Sequence, residues 1–263
     1  MKGVLYYFSG TGNTKWAADR FRDNFKTYGV DLKLISVEDT EKVESECFKK
    51  NDFIVIGSPV HAEFPPKIMC DFLRQIKPNN RKIKAIVYST QSAKSSSAPC
   101  FMSKYLKKKG YRIVIQTYIK MPNNYYFAAG KKPDKSSIEN LLSNAEAKIE
   151  HIVKKFMHDK ILIESNNEFR VQFSKFFNKV FRSTIPKLSQ NISSTEQCGK
   201  CGICLMNCPK KNITFENGHA VFNSKCILCM RCIHICPINA IRYKHRKIDQ
   251  TQKNILRSMK INE

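Results

Sequence analysis

Apolar segments and helix-like segments alternate along the first 158 residues of the chain. Five short runs have the apolar, β-branched character of buried strands, at residues 3–9, 31–37, 52–60, 82–90 and 111–119. Between them, apolar residues recur at intervals of three and four, which predicts helices at residues 15–29, 65–76, 99–110 and 136–157. Alternating strands and helices predict an α/β fold, with a parallel sheet covered by helices on both faces.

The loop SGTGNT separates the first predicted strand from the first predicted helix. Its hydroxyls and glycines can surround an anion, and the amides of the helix that follows favour a phosphate. The loop lacks the Gly-Lys-Ser/Thr ending of a P-loop and the third glycine of the dinucleotide fingerprint. It therefore predicts a phosphate site of another kind, formed by Ser9, Gly10, Thr11, Gly12, Asn13 and Thr14.

Two cysteine runs, CGKCGICLMNCP (198–209) and CILCMRCIHICP (226–237), share one spacing, C-x2-C-x2-C-x3-C-P. This is the spacing of bacterial two-cluster ferredoxins. Zinc sites also use C-x2-C pairs, but they need only four ligands, commonly with histidine. Eight cysteines in two matching runs therefore favour iron–sulfur clusters over zinc, and we expect His234 to be a local side chain and not a ligand.

On these runs, residues 194–245 resemble the two-[4Fe–4S] ferredoxins, which implies a small α+β domain holding two clusters. Three cysteines at two-residue intervals can reach three corners of one cubane, while the fourth reaches the other cluster. The implied ligands of cluster I are Cys198, Cys201, Cys204 and Cys236. Those of cluster II are Cys226, Cys229, Cys232 and Cys208.

Residues 1–158 resemble flavodoxin-like domains, because residues 9–14 match the FMN-phosphate loop pattern S/T-x-T-G-x-T. The resemblance implies a doubly wound five-stranded parallel sheet in the order 2-1-3-4-5, with FMN at the carboxyl ends of the strands. Two loops, 57–66 and 89–98, would flank the flavin ring, through Ser58, Pro59, Val60 and His61 in the first and Thr90, Gln91 and Ser92 in the second. Tyr125 or Tyr126 would add an aromatic wall. Loop 89–98 departs from the family pattern because it contains no glycine.

A connecting segment at residues 159–193 has an aromatic stripe with helical spacing: Phe169, Phe173, Phe176, Phe177 and Phe181. The spacing predicts a helix that ends near Pro186. We expect the stripe to pack one domain onto the other, although a calmodulin-target or membrane-surface helix has the same basic-aromatic composition. Residues 246–263 form a basic tail.

Composition and charge limit the remaining possibilities. The 263 residues are 42% hydrophobic and carry a formal net charge of +24, which is spread along the chain. Such a charge favours an acidic partner. No apolar run is long enough to span a bilayer, and the N-terminus lacks a signal-peptide pattern. We therefore expect a cytoplasmic protein whose eleven cysteines are not paired in disulfides.

A flavodoxin-like domain followed by a two-cluster ferredoxin resembles fusion proteins found mostly in anaerobic bacteria and archaea. It implies an electron-transfer iron–sulfur flavoprotein, which couples the one-electron steps of two [4Fe–4S] clusters to the two-electron chemistry of FMN. Acidic redox proteins would be its partners, and an electron carrier is favoured over an enzyme. Two alternatives remain: a ferredoxin with a flavin-free docking domain, and a flavin reductase of a small substrate such as a quinone. Nucleic-acid binding is not expected, because the basic residues are not clustered.

Overall fold

The computed structural model describes residues 1–47, 50–94, 96–128, 130–164 and 168–251, without the side chains of residues 46, 47 and 168–170. The basic tail is thus described only to residue 251, and the side chain of Phe169 lies outside the described residues. The chain forms two compact units. The first comprises Met1–Ser9, Asn13–Asn123 and Pro133–Asn178; the second comprises Gly10–Gly12, Asn124–Lys132 and Lys179–Glu263.

The first unit contains a six-stranded, fully parallel sheet in the order β2-β1-β3-β4-β5-β6. Its strands are β1 (Lys2–Tyr7), β2 (Asp31–Ser36), β3 (Phe53–Pro59), β4 (Lys84–Gln91), β5 (Arg112–Lys120) and β6 (Leu162–Ile163). The predicted α/β class and the order 2-1-3-4-5 are confirmed. The two-residue strand β6 extends the edge beside β5 and was not predicted, since two residues are too few for a periodic signal.

Six helices accompany the sheet: α1 (Asn13–Thr27), α2 (Thr40–Cys47), α3 (Lys67–Gln75), α4 (Ala98–Lys108), α5 (Lys135–Met157) and α6 (Glu168–Ser189). The sequence did not predict α2, because the segment TEKVESEC has a single aliphatic side chain, Val43. Helix α6 continues three residues beyond Pro186, which lies in its last turn. From Lys179 onward its residues are counted with the second unit.

Three fully or nearly fully buried rings, Phe25, Phe53 and Phe156, form the centre of the first unit's core. The ring centroid of Phe53 lies 5.0 Å from that of Phe25 and 4.8 Å from that of Phe156. Phe53 pairs with Gly3 across β1 and β3, and a Cβ on Gly3 would overlap its ring. The strands can therefore adopt this register because glycine leaves the space that the ring fills.

Replacing Phe53 by alanine should destabilise the first unit by about 3–5 kcal/mol, the usual cost of removing a buried phenylalanine. Trp16 is the only tryptophan of the chain and packs against the same core, so its fluorescence during urea unfolding reports on this unit. Tyr28→Ala, at an exposed position, serves as the control. A loss below about 1 kcal/mol in Phe53→Ala would contradict the central role of this ring.

The second unit repeats one small motif twice. Its elements are β7 (Ile192–Ser194), α7 (Ile203–Met206), β8 (Ile213–Glu216), β9 (His219–Phe222), α8 (Arg231–Ile235), β10 (Ile241–Tyr243) and β11 (Arg246–Lys247). The order β7-α7-β8 recurs as β9-α8-β10. Antiparallel pairing joins β7 with β10 and β8 with β9, so each pair takes one strand from each half. The small C-terminal α+β fold is as predicted.

Backbone dihedral angles follow the same repeat as the cysteines. Left-handed residues occur at Lys200, Gly202 and Lys211, with φ values of 55°, 75° and 47°. Leu228, Met230 and Asn239 occupy the equivalent positions of the second half, with φ values of 54°, 60° and 52°. Only one of these six is a glycine, although left-handed backbone favours that residue. The two halves thus share a backbone conformation that could not be predicted from the residue types at these positions.

Candidate functional site

The first unit holds the two ends of the predicted phosphate loop. Ser9 and Thr14 are buried after β1 and at the start of α1. The Ser9 hydroxyl accepts a hydrogen bond from the Lys15 amide at 3.2 Å, and the hydroxyls of Thr14 and Thr90 are 2.7 Å apart. The Asn13 Nδ2 group donates to the Pro122 carbonyl, whereas its Oδ1 atom is buried without a hydrogen-bond partner among the described residues. A buried polar atom of this kind fits a ligand hydroxyl.

The centre of the same loop, Gly10–Gly12, belongs by its contacts to the second unit. Arg231 donates from Nε to the Gly10 carbonyl at 3.2 Å, and Asn124 donates from Nδ2 to the Thr11 hydroxyl at 2.8 Å. A Cβ on Gly10 would lie 2.7 Å from the carbonyl oxygen of Cys229. Gly10 is therefore required for a close approach between two backbone segments, in addition to the flexibility that the sequence suggested.

The first predicted ring loop, after β3, ends in a tight turn. His61 and Phe64 exchange two backbone hydrogen bonds, and Ala62 and Glu63 between them have positive φ values of 45° and 73°. Glycine or asparagine usually occupies such positions, so this turn is strained. Ser58 is fully buried, and its hydroxyl donates to the Pro59 carbonyl, while Pro59, Val60 and His61 are half-buried.

The second predicted ring loop is organised by Gln91. Its Oε1 atom accepts hydrogen bonds from the hydroxyls of Ser89 at 2.7 Å and Ser96 at 2.6 Å, and its Nε2 group donates to the Ala93 carbonyl. Ser92 is exposed, whereas Thr90 is buried against Thr14. Ser95, which also belongs to this loop, lies outside the described residues. Side-chain hydrogen bonds thus hold the loop in the absence of the glycines that many flavodoxins have there.

Helix α6 contacts both ring loops through two buried polar side chains that the sequence analysis missed. The Ser174 and Ser97 hydroxyls are 3.1 Å apart, and Asn178 donates from Nδ2 to the carbonyls of His61 and Ala62 at 3.4 and 3.3 Å. Glu63 also accepts a hydrogen bond from the Ser97 amide. The one sequence feature that could have indicated these contacts is the spacing of Ser174 and Asn178, two polar residues four positions apart within an aromatic stripe.

Three rings of the aromatic stripe on α6 are exposed: Phe173, Phe176 and Phe177. Phe181, by contrast, packs against the core of the second unit. Tyr125 and Tyr126, predicted as a possible wall of the flavin site, also pack against that core. The Tyr126 hydroxyl donates to the Asp249 carbonyl at 2.9 Å.

The eight cysteines of the two runs lie in the second unit and form no disulfide. Three of their sulfurs accept backbone hydrogen bonds: Cys208 from the Asn212 amide at 3.3 Å, Cys236 from the Ala240 amide at 3.2 Å, and Cys226 from the Leu228 amide at 3.3 Å. The first two bonds are equivalent in the 28-residue repeat. Amide bonds to sulfur are a recognised influence on the potential of iron–sulfur clusters.

Electrostatic neighbours divide most of the thiols into two groups. Burial, followed by the thiols of Cys236 and Cys198, raises the pKa of Cys204 to about 11. Burial raises the pKa of Cys226 as well, with a further contribution from the Cys208 thiol. In each case one contributing thiol belongs to the last cysteine of the other run.

The thiols of Cys229 and Cys232 belong to the second group. Burial raises the pKa of Cys229 to about 12, although the Arg231 charge opposes this rise. Burial and the thiols of Cys229 and Cys226 raise the pKa of Cys232, and Cys204 contributes less. Among the described residues, no three His, Cys, Asp or Glu side chains group tightly enough to hold a single metal ion. A cubane instead takes one thiolate at each of four separate irons, so its ligands surround a larger object.

Two further polar side chains, Arg231 and His234, are buried in the second unit. Besides its bond to Gly10, Arg231 donates from an Nη atom to the Asn207 carbonyl at 2.9 Å. His234 lies 2.8 Å from the Asn124 carbonyl through Nε2, and burial lowers its pKa. His234 therefore forms a hydrogen bond with a residue that is distant in the sequence.

Comparison with known families identifies both parts of the chain. A family model described as a flavodoxin domain matches residues 4–120, and a model described as a 4Fe-4S binding domain matches residues 219–242. No curated protein matches the chain. The second model covers only the second cysteine run; the first run has the same spacing.

Several solved structures are similar to part of the chain. Rubredoxin oxygen:oxidoreductase from the anaerobe Desulfovibrio gigas is 19% identical, with a TM-score of 0.41, and the match covers 58% of this chain and 36% of that chain. A flavodoxin from the domain Archaea is 19% identical with a TM-score of 0.40, over 59% of this chain and 99% of that one. Megasphaera elsdenii flavodoxin is 21% identical with a TM-score of 0.38, over 56% and 99%.

The fold of the first unit and the two family matches define a flavin and iron–sulfur protein of the electron-transfer class. The two matched segments are consistent with a fusion of a flavodoxin domain and a ferredoxin-type 4Fe–4S domain. Among the described residues, no helix is both long and apolar enough to cross a membrane.

The approach of Gly10 to Cys229 yields a direct prediction. Gly10→Ala would force a Cβ against a backbone carbonyl, which cannot move aside as a flexible side chain can, so we expect a loss of about 1–3 kcal/mol in the unfolding free energy of the second unit. Gly199→Ala is the matched control in the same unit, because its added Cβ makes only an ordinary contact with Ile238. Thermal unfolding followed by near-ultraviolet circular dichroism measures both variants; equal stability would contradict the close approach.

Proposed function

We propose that this protein carries electrons between two [4Fe–4S] clusters and one FMN. The observation that carries the proposal is the pair of matching cysteine runs in a unit where β7 with β10 and β8 with β9 each pair one strand from each half. It supports Cys198, Cys201, Cys204 and Cys236 as ligands of cluster I, and Cys226, Cys229, Cys232 and Cys208 as ligands of cluster II. When bound, clusters and flavin together supply conversion between one-electron and two-electron redox steps.

The chain's own residues have separate tasks in this proposal. The amides of Asn212 and Ala240 donate to two ligand sulfurs and thereby stabilise the added negative charge of a reduced cluster. Buried apolar side chains such as Leu228, Ile233 and Ile241 exclude water from the cysteine loops. The loop from Ser9 to Thr14 would bind the FMN phosphate, because it combines hydroxyls with the amides at the start of α1.

The hydrogen bonds within the two ring loops support the proposal that the predicted residues bind the flavin ring. Gln91 and the turn at Ala62 and Glu63 fix the two loops, and Asn13 Oδ1 has no partner among the described residues. Ser58, Pro59, Val60, His61, Thr90 and Ser92 would line the ring from these loops. Only Ser92 of this set is exposed.

A second candidate function is a two-cluster ferredoxin whose flavodoxin-like unit carries no flavin. The observation that favours it is the set of hydrogen bonds within loop 89–98, where the hydroxyls of Ser89 and Ser96 both donate to the Gln91 side chain. Backbone amides presented by a glycine-rich loop would approach a flavin more closely. In this case the first unit would serve as a docking scaffold.

Quantification of iron, sulfide and FMN after anaerobic purification tests both candidates. The proposal predicts about eight irons, about eight sulfides and one FMN per chain. Cys208→Ser removes a single predicted ligand of cluster II and should lower the iron content towards about four per chain. Cys100→Ser, a half-buried cysteine outside both runs, is the matched control and should retain all the iron.

Each outcome separates the possibilities. Eight irons without flavin would support the second candidate, and four irons in the wild-type protein would contradict two clusters. Full iron content in Cys208→Ser would contradict the crossed ligand assignment. Zinc in place of iron would contradict both candidates.

A further inference from the structure

The outward face of α6 carries a contiguous group of exposed aromatic rings, Phe173, Phe176 and Phe177, which we name the Phe patch. These side chains are 66%, 66% and 51% exposed. The centroids of Phe173 and Phe177 are 4.7 Å apart, and those of Phe176 and Phe177 are 6.2 Å apart, so the three rings touch one another. Contiguous exposed apolar patches mark interaction sites, in contrast to single exposed apolar residues, which are common.

The inward face of the same helical segment is polar. Ser174 and Asn178 are 4% and 7% exposed, and they bond to Ser97 and to the carbonyls of His61 and Ala62. A surface helix ordinarily buries its apolar side and exposes its polar side. Here the arrangement is reversed, because the aromatic side is exposed while the polar side is hydrogen-bonded to the two ring loops.

The charged side chains along α6 after Glu168 have a single sign. No aspartate or glutamate occurs between Glu168 and Glu196, whereas five basic residues do: Arg170, Lys175, Lys179, Arg182 and Lys187. Lys175 and Lys179 are exposed on α6 next to the aromatic rings. An apolar centre with a positive rim is complementary to a protein surface that has an apolar centre and an acidic rim.

We propose that the Phe patch is the docking surface for an acidic redox protein, a proposal that rests on the electron-transfer function proposed above. Its position supports this class of partner, because Ser174 and Asn178 connect the helix directly to the two loops predicted to hold the flavin ring. A partner seated on the Phe patch would therefore lie next to the redox site of the first unit. An anionic membrane, which basic and aromatic helices can also bind, is the competing occupant.

The test uses an acidic two-[4Fe–4S] ferredoxin as the probe, immobilised on a biosensor surface. The same ferredoxin with its surface carboxyl groups converted to amides is the probe control. The variant is Phe173→Gln with Phe176→Gln, which removes the two most exposed rings and retains good helix propensity. Tyr28→Gln with Ile161→Gln is the matched control, since it removes two exposed apolar side chains elsewhere in the first unit.

We expect wild-type protein to bind the acidic ferredoxin more weakly as salt increases and to lose binding to the amidated form. The Phe173→Gln, Phe176→Gln variant should bind at least about tenfold more weakly, as expected when two central aromatic contacts are lost. The control variant should bind as wild type does. Far-ultraviolet circular dichroism and Trp16 fluorescence should show that both variants are folded.

Three results would overturn the proposal: unchanged affinity in the Phe patch variant, no binding of the acidic ferredoxin by wild type, or an equal loss in the control variant. Binding of wild type, but not of the variant, to phosphatidylglycerol vesicles in place of ferredoxin would assign the patch to a membrane surface. Iron, sulfide and FMN are measured on the same preparations. Full cofactor content without docking would thus reject this surface alone, whereas absent cofactors would reject the proposed function.

Discussion

The close approach of Gly10 to the carbonyl of Cys229 is the constraint on which the packing around the second cysteine run depends. Both residues belong to the second unit, and the approach leaves no space for a side chain at position 10. Arg231 adds to this contact, because its guanidinium donates hydrogen bonds to the carbonyls of both Gly10 and Asn207. A buried arginine bonded in this way orders two loops at once, and its positive charge lies beside a predicted cluster ligand.

Repetition explains how the second unit provides two equivalent environments in a short length of chain. Each half contributes a strand, a short helix and a second strand, and every antiparallel pair of β7 to β10 takes one strand from each half. Neither half can complete its sheet alone. The last cysteine of each run consequently lies near the other run, as the thiol neighbours of Cys204 and Cys226 indicate. The crossed ligation proposed above follows from crossed strand pairing.

Local signals in the sequence predicted much of the fold and part of the site. Five apolar runs separated by helix-like segments were sufficient for the parallel sheet, and the cysteine spacing was sufficient for the repeated unit. Helix α2 was not predicted because its sequence has little apolar periodicity. Strand β6 was not predicted because two residues are too few to show a periodicity. The roles of Ser174 and Asn178 could not be predicted, since their partners Ser97 and His61 are far away in the sequence. Periodicity identified the aromatic face of α6, but it does not tell which face of a helix is buried.

The central claim is that electrons pass within one chain between iron–sulfur clusters and flavin. Its most direct test is rapid anaerobic mixing of the purified protein with a limiting one-electron reductant, with flavin and cluster absorbance recorded together. The account predicts that electrons redistribute between the two chromophores in a first-order process, whose rate constant does not change with protein concentration. Redistribution at a rate proportional to protein concentration, or none at all, would contradict it.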